Sequence, residues 1–136
     1  MLKYKLYTIL SITSTGNKNE HNSCRQYSAS ISLNPGHEIF IGHFPGNPVL
    51  PGVCQVEMTR EIAGEVLGFE CMLSRASYIK FMNMIIPEKN TELVLDLKLE
   101  KISGSGYDIS ASFYSGTAVF MKMKGQLSEF KHVQNV

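Results

Sequence analysis

The side chains able to do chemistry concentrate in one stretch, Gly42-His43-Phe44-Pro45-Gly46-Asn47-Pro48-Val49-Leu50-Pro51-Gly52-Val53-Cys54-Gln55-Val56-Glu57. His43 sits in an apolar segment stiffened by prolines. A helix is predicted to start directly after it, because Pro51 suits a first helical turn and Gly68 suits the position past the end. The first backbone N–H groups of that helix have no intrahelical partner, and the positive end of the helix dipole lies there too. A carbonyl oxygen held at Gly52 would be polarised as in an oxyanion site. Glu57 follows about one and a half turns into the helix. A histidine, a carboxyl and a helix N-terminus together suit proton abstraction beside a carbonyl.

Each residue also has a plainer reading. A lone loop histidine is often just a satisfied polar group. Glu57, with Glu61 and Glu65 at i+4 and i+8, fits a solvated helix face on which Arg60 pairs with it. The Pro-Gly pair also fits an ordinary helix start.

The elements around this stretch follow from periodicity. Residues 4–13 read as a strand, and 14–23, rich in Gly and Asn, as a long hairpin tip. Residues 24–33 are a second strand with Ala29, Ile31 and Leu33 on one face. The segment 37–52 has too many Pro and Gly residues for regular structure. It is apolar enough, with Ile39, Phe40, Ile41, Phe44, Val49 and Leu50, to be packed inside. The helix covers 53–67, with Val56, Ala63, Val66 and Leu67 on one side and Ile62 and Val53 widening the stripe. Strands follow at 71–84, 91–102, 107–113 and 119–124, read as a four-strand meander, and the last eight residues as a frayed end. Leu93, Leu95, Leu97 and Leu99 point inward along their strand. Val119, Met121 and Met123 alternate with Phe120, Lys122 and Lys124. Met82 and Met84 also alternate, and such methionines either line an acyl tunnel or pack an ordinary core. Strands segregated from a single helix mean an α+β fold, a helix on an antiparallel sheet.

The chain has 136 residues, 43% of them hydrophobic and 18% charged, with a net charge of +1. That is one domain with a core of its own and no compositional sign of disorder. A nucleic-acid binder usually carries a strong basic excess, so none is expected. Three cysteines without CxxC spacing suggest neither a disulfide framework nor a zinc site. No run reaches the ~20 apolar residues of a membrane span. The start faintly imitates a signal peptide but lacks a cleavage site, so a reducing, cytoplasmic setting is expected.

The stretch His43-Phe44-Pro45-Gly46-x-Pro-x-x-Pro51-Gly52-Val53, with Glu57 fourteen residues after His43, closely resembles the signature of 3-hydroxyacyl-[acyl-carrier-protein] dehydratases of the FabZ/FabA type. Tyr78-Ile79-Lys80-Phe81 through Ile86-Pro87 resembles, more weakly, that family's K-F-x-x-P-V-x-P-G-D strand and turn. The resemblance implies a hot-dog fold, in which a sheet of about six strands wraps one long central helix. It implies that His43 takes the α-proton of a (3R)-3-hydroxyacyl thioester and that Glu57 binds the 3-hydroxyl and protonates it as it leaves. It implies that the Gly52 N–H holds the thioester carbonyl, with Phe44, Pro51 and Val53 beside the substrate. The product is a trans-2-enoyl thioester. No metal or redox cofactor is implied, since the acyl group arrives on the phosphopantetheine of acyl carrier protein. The site is expected to be shared between subunits of a homodimer, or of a dimer of dimers.

Three departures mark a diverged member. Asn47 replaces a common His or Asp, Met82-Asn83 an often basic pair, and Glu88-Lys89-Asn90 the Gly-Asp turn. An acidic carrier needs local positive charge. Arg60, Arg75, Lys80, Lys122 and Lys124 are the candidates, with Lys80, Lys122 and Lys124 the chosen docking set. Two other readings stay open: a hot-dog acyl thioesterase, and a catalytically silent partner subunit of a synthase complex.

Overall fold

The computed structural model describes residues 1–16, 24–42, 46–102, 104 and 106–130. Among these, the strands are β1 (Tyr7–Ser14), β2 (Cys24–Leu33), β3 (Cys71–Phe81), β4 (Glu92–Lys101), β5 (Gly106–Ser115) and β6 (Ala118–Glu129). The helices are a single turn α1 (Ile39–Gly42) and the long α2 (Gly52–Leu67). The strands form one antiparallel sheet in the order β1-β2-β4-β5-β6-β3.

Alternation drives the sheet. Leu93, Leu95, Leu97 and Leu99 of β4 lie beside Ala29 and Ile31 of β2 and Ile109, Ala111 and Phe113 of β5, all buried. They pack with Met58 and Ile62 of α2 into one apolar cluster, so the helix lies on the inner face. Cys54, Met58 and Ile62 recur every fourth residue and form the buried stripe of α2. The helix ends where Gly68 takes a left-handed conformation (φ 85°) and donates its N–H to the Gly64 carbonyl.

Several expectations need correction. Of the expected helical stripe, Ile62 and Ala63 are buried and Val66 and Leu67 pack against the core, but Val53 is 76% exposed, and the buried face also includes Gln55, Thr59 and Glu61. The last four strands are not one meander. β4-β5-β6 are, whereas β3 crosses to the far edge and pairs with β6. β1 begins at Tyr7 because residues before it make a turn with Leu6 buried. The 37–52 segment contains the turn α1; Phe40 and Leu50 are buried but Ile41 is exposed. A register shift at Phe113/Tyr114 buries Phe120 as well as Met121, breaking the expected alternation. Met82 and Met84 lie beyond the end of β3 and are exposed, while Met121 and Met123 are core residues. β6 runs on to Glu129, and the Phe130 N–H donates to the Glu70 carbonyl. Most of the predicted hairpin tip and residues 131–136 of the predicted frayed end lie outside the described residues.

Glu61 belongs to no solvated face. It is 4% exposed and accepts the backbone N–H groups of Leu2 (2.9 Å) and Lys3 (3.0 Å) and the Tyr7 hydroxyl (3.0 Å). Lys3 adds an ion pair to Glu65 at 2.8 Å. The N-terminal turn is thus fastened to the middle of α2. Burial, and then the Glu61 charge, push the Tyr7 phenol far above its usual range, so it stays a donor. Removing the carboxylate orphans a fully buried hydroxyl. Glu61→Ala is expected to cost about 2–4 kcal/mol and Tyr7→Phe about 1 kcal/mol in urea unfolding. Equal, negligible losses would show that Glu61 does not hold this turn.

Candidate active site

Pro51 caps α2 with extended backbone (φ −60°, ψ 146°) and no side-chain hydrogen bond. Its carbonyl accepts the N–H groups of Cys54 (3.1 Å) and Gln55 (3.3 Å). Gly52 and Val53 are therefore the first helical donors, with no carbonyl behind them in the helix. The segment before is held by the Leu50 N–H, which donates to the Ile85 carbonyl at 2.9 Å. The Phe81 ring at the end of β3 lies over Gly52: a Cβ there would sit 2.6 Å from it. A side chain at position 52 would displace this half-exposed ring. Pro51 is half-buried beside it.

Glu57 is reached one and a half turns later, its side chain 39% exposed. Both its oxygens are taken by Arg60: Nε donates to Oε2 at 3.0 Å and Nη2 to Oε1. The third arm of Arg60, Nη1, donates to the Cys71 carbonyl at 2.7 Å. The Arg60 hydrogen bonds hold the Glu57 carboxyl below the usual carboxylate range, against the opposing effect of burial. The pairing expected between these two residues exists, but the face is not freely solvated. Arg60 is also removed from the docking candidates, because its guanidinium is committed. Beside it lies an open cavity of about 420 Å³ lined by Arg60, Glu61, Glu65, Phe69 and Cys71. The buried thiols are quiet: desolvation pushes Cys54 up and Cys71 to about 11.

The structure brings together Pro51, Gly52, Val53 and Glu57 on α2. His43 and Phe44 lie outside the described residues. Lys80, Lys122 and Lys124 are all exposed on the outer face of the sheet. Lys80 is directly opposite Lys122, and Lys124 opposite Tyr78. The Lys80 ammonium stands 5.0 Å from the Tyr78 ring centre. Arg75 is exposed on the same strand.

Two residues escaped sequence reasoning. Lys98 lies across from Ser110, which itself faces Lys124, so it joins the basic group; a trough of about 310 Å³ runs among Tyr78, Lys98, Ser110, Ser112 and Lys122. Strand alternation marked Lys98 as outward, but only strand order places it there. Gln55 is 3% exposed; its Nε2 donates to the Leu50 carbonyl at 3.5 Å, and its Oε1 has no partner among the described residues. A glutamine at a helix start carries no sequence signal of burial. The unusual 86–90 turn is self-supporting, since the Asn90 side chain accepts the Ile86 N–H at 3.0 Å. Asn83 donates to the Val119 carbonyl at 2.7 Å, which gives the second departure a structural use. No helix among the described residues is long and apolar enough to cross a membrane.

Comparison with known proteins bears on the fold and the family. The family described as "ApeI-like: ApeI dehydratase" matches residues 17–117. The 3-hydroxyacyl-[acyl-carrier-protein] dehydratase FabZ of Helicobacter hepaticus is 27% identical over 120 residues, covering 78% of this chain and 68% of that one. The FabZ of Clostridium acetobutylicum is 30% identical over 74 residues, covering 49% and 51%, so the chain spans about half the length of that relative. Among solved structures, the dehydratase heterocomplex ApeI:P from Xenorhabdus doucetiae matches with a TM-score of 0.60 at 20% identity, covering 89% of this chain and 96% of that one. A putative thioesterase, yhdA, from Lactococcus lactis matches with a TM-score of 0.64 at 10% identity, covering 93% and 96%. The shared architecture is the hot-dog fold, and it spans more than one chemistry. What separates them is sequence, and by that match across most of its length this chain belongs to the ApeI-like dehydratase family.

Proposed function

We propose that this protein dehydrates a (3R)-3-hydroxyacyl thioester, carried on acyl carrier protein, to the trans-2-enoyl thioester in fatty-acid or related lipid or polyene biosynthesis. The observation that carries the reading is the helix start at Gly52, capped by no side chain among the described residues, with Glu57 on the same helix, in a chain whose His43 motif precedes it at the dehydratase spacing. His43 removes the α-proton, and the electron pair of that C–H bond becomes the new double bond. The C3–O bond breaks, and the hydroxyl departs as water with a proton that Glu57 carries in the form of the enzyme where His43 is neutral. The Gly52 N–H holds the carbonyl oxygen while it carries enolate charge, which is where a fixed donor lowers the barrier. This chemistry uses no metal or redox cofactor, only the phosphopantetheine that carries the acyl group.

The thioesterase reading shares the fold but leaves the pairing of a histidine motif with Glu57 unexplained. A silent subunit has no need to keep His43, Gly52 and Glu57 together.

The functional unit in this reading is a homodimer, or a dimer of dimers. β3 is an edge strand, and Val53, Tyr78, Phe81 and Met82 are exposed around it and the helix start. A second copy laid along that edge covers these apolar groups and completes the site. Lys80, Lys122 and Lys124 form the docking face for the acidic carrier.

His43→Ala and Glu57→Gln are each expected to lower dehydration about 10²-fold or more. Mixed dimers of the two variants should recover one intact site in two. Wild-type rates in either variant would refute the assignment. Sedimentation at micromolar concentration should show a dimer or larger species; monomer alone would remove the shared site.

Charge reversal of Lys80, Lys122 and Lys124 to Glu should raise KM for a carrier-bound substrate and leave a short N-acetylcysteamine thioester nearly untouched. The effect should fade with salt, since the screening length is about 8 Å at physiological ionic strength. Equal damage to both substrates would count against docking at this face.

A further inference from the structure

Arg60 is held unlike an ordinary surface partner. An exposed i,i+3 ion pair is weakly stabilising and moves freely. Here the guanidinium meets both Glu57 oxygens and anchors its remaining arm on the Cys71 carbonyl of β3 at 2.7 Å. A planar fork with three fixed contacts leaves its partner one direction, and lysine cannot reproduce that geometry. The carboxyl is thereby tied to the sheet as well as to its own helix.

We propose that Arg60 is a positioning residue for the reaction, holding the Glu57 carboxyl in its working direction by clamping it between α2 and the start of β3. The proposal rests on the dehydratase reading and adds to it a residue that His43, Gly52 and Glu57 do not include.

The surroundings define what Arg60 controls. On α2, Cys54 and Glu61 are near Glu57. From the N-terminal segment come the amino group at Met1 and the Tyr7 phenol. Behind Arg60 stand Glu70 and, on β3, Cys71. The thiols and the phenol stay neutral, and Glu61 is occupied by Leu2, Lys3 and Tyr7. Arg60 is thus the dominant influence holding the Glu57 carboxyl low.

Where a reaction needs one carboxyl and one imidazole, the acid limb of kcat/KM reports the lower of the two pKa values. The Arg60 hydrogen bonds hold the Glu57 carboxyl low. Without Arg60 that limb moves to higher pH. This applies to the assignment above, in which His43 is neutral and Glu57 carries the proton.

The experiment compares wild type, Arg60→Met and Arg60→Lys as full chains, by pH profiles on a 3-hydroxyacyl thioester and by carbon NMR titration of the Glu57 carboxyl. In Arg60→Met the carboxyl titration and the acid limb should both move to higher pH, and kcat should fall roughly tenfold or more, as for a misplaced catalytic group. Arg60→Lys should move the limb less than Arg60→Met, because the charge remains, yet still lose kcat, because the fork is gone. An unmoved Glu57 titration in both variants would overturn the clamp. A moved titration with unchanged kcat and acid limb would overturn its role in the reaction. If Arg60→Met fails to fold, Arg60→Lys decides: full wild-type kcat there overturns the proposal. If the wild type forms no enoyl product, the dehydratase reading fails, and with it the role in that reaction; the titration still reports whether Arg60 holds Glu57.

Discussion

A helix buried in the curl of a six-stranded sheet must satisfy every polar group on its inner side without water, and most of this molecule answers to that requirement. The apolar stripe of α2 is narrow, set by Cys54, Met58, Ile62 and Ala63. Gln55, Thr59 and Glu61 are buried beside it. Thr59 turns its hydroxyl back to the Gln55 carbonyl at 2.8 Å, the local solution open to a helical threonine. Glu61 recruits the chain's first turn instead, so a carboxylate that would be costly alone becomes the anchor of the N-terminal segment. Gln55 keeps one oxygen unmatched among the described residues, close to the helix start.

The same burial decides where the candidate site sits. With one side of α2 pressed on the sheet, Val53, Glu57 and Arg60 occupy the other side, toward the β3 edge and the Cys71 carbonyl. Phe81 closes over Gly52 from the end of that strand. The helix start, the carboxyl and the open edge are therefore neighbours because of one packing decision. An edge strand with exposed apolar groups is normally a liability. In the homodimer proposed above, that edge is the surface a second copy would cover.

Electrostatics are divided between the two faces. Around α2, Glu57, Glu61 and Glu65 are each met by a specific donor, Arg60, the N-terminal turn and Lys3. On the outer face, Lys80, Lys122, Lys124 and Lys98 gather with few acids, Asp96 among them, which accepts the Tyr114 hydroxyl at 3.3 Å. The net charge of +1 conceals this separation.

Much was legible in the linear sequence. Leucines at every second position of 93–99 can bury together only on a strand, and Pro51 with Gly68 brackets the helix by backbone conformation alone. Periodicity and turn chemistry are local, so the α+β class, the helix limits within a residue and the outward lysines followed directly. The spacing of His43, Gly52 and Glu57 was equally local, and it carried the family. Strand order was not legible, because β3 pairs with β6 rather than with its sequence neighbour β4, and no residue of β3 encodes which edge it will meet. Nor was the burial of Glu61 and Gln55, since a polar residue is buried only where distant groups, here Leu2, Lys3 and Tyr7, arrive to meet it. The Arg60 fork belongs to the same class. Sequence proposed its bond to Glu57, three residues away, but the bond to Cys71 exists only because the chain turns after Gly68 and brings β3 back along the helix.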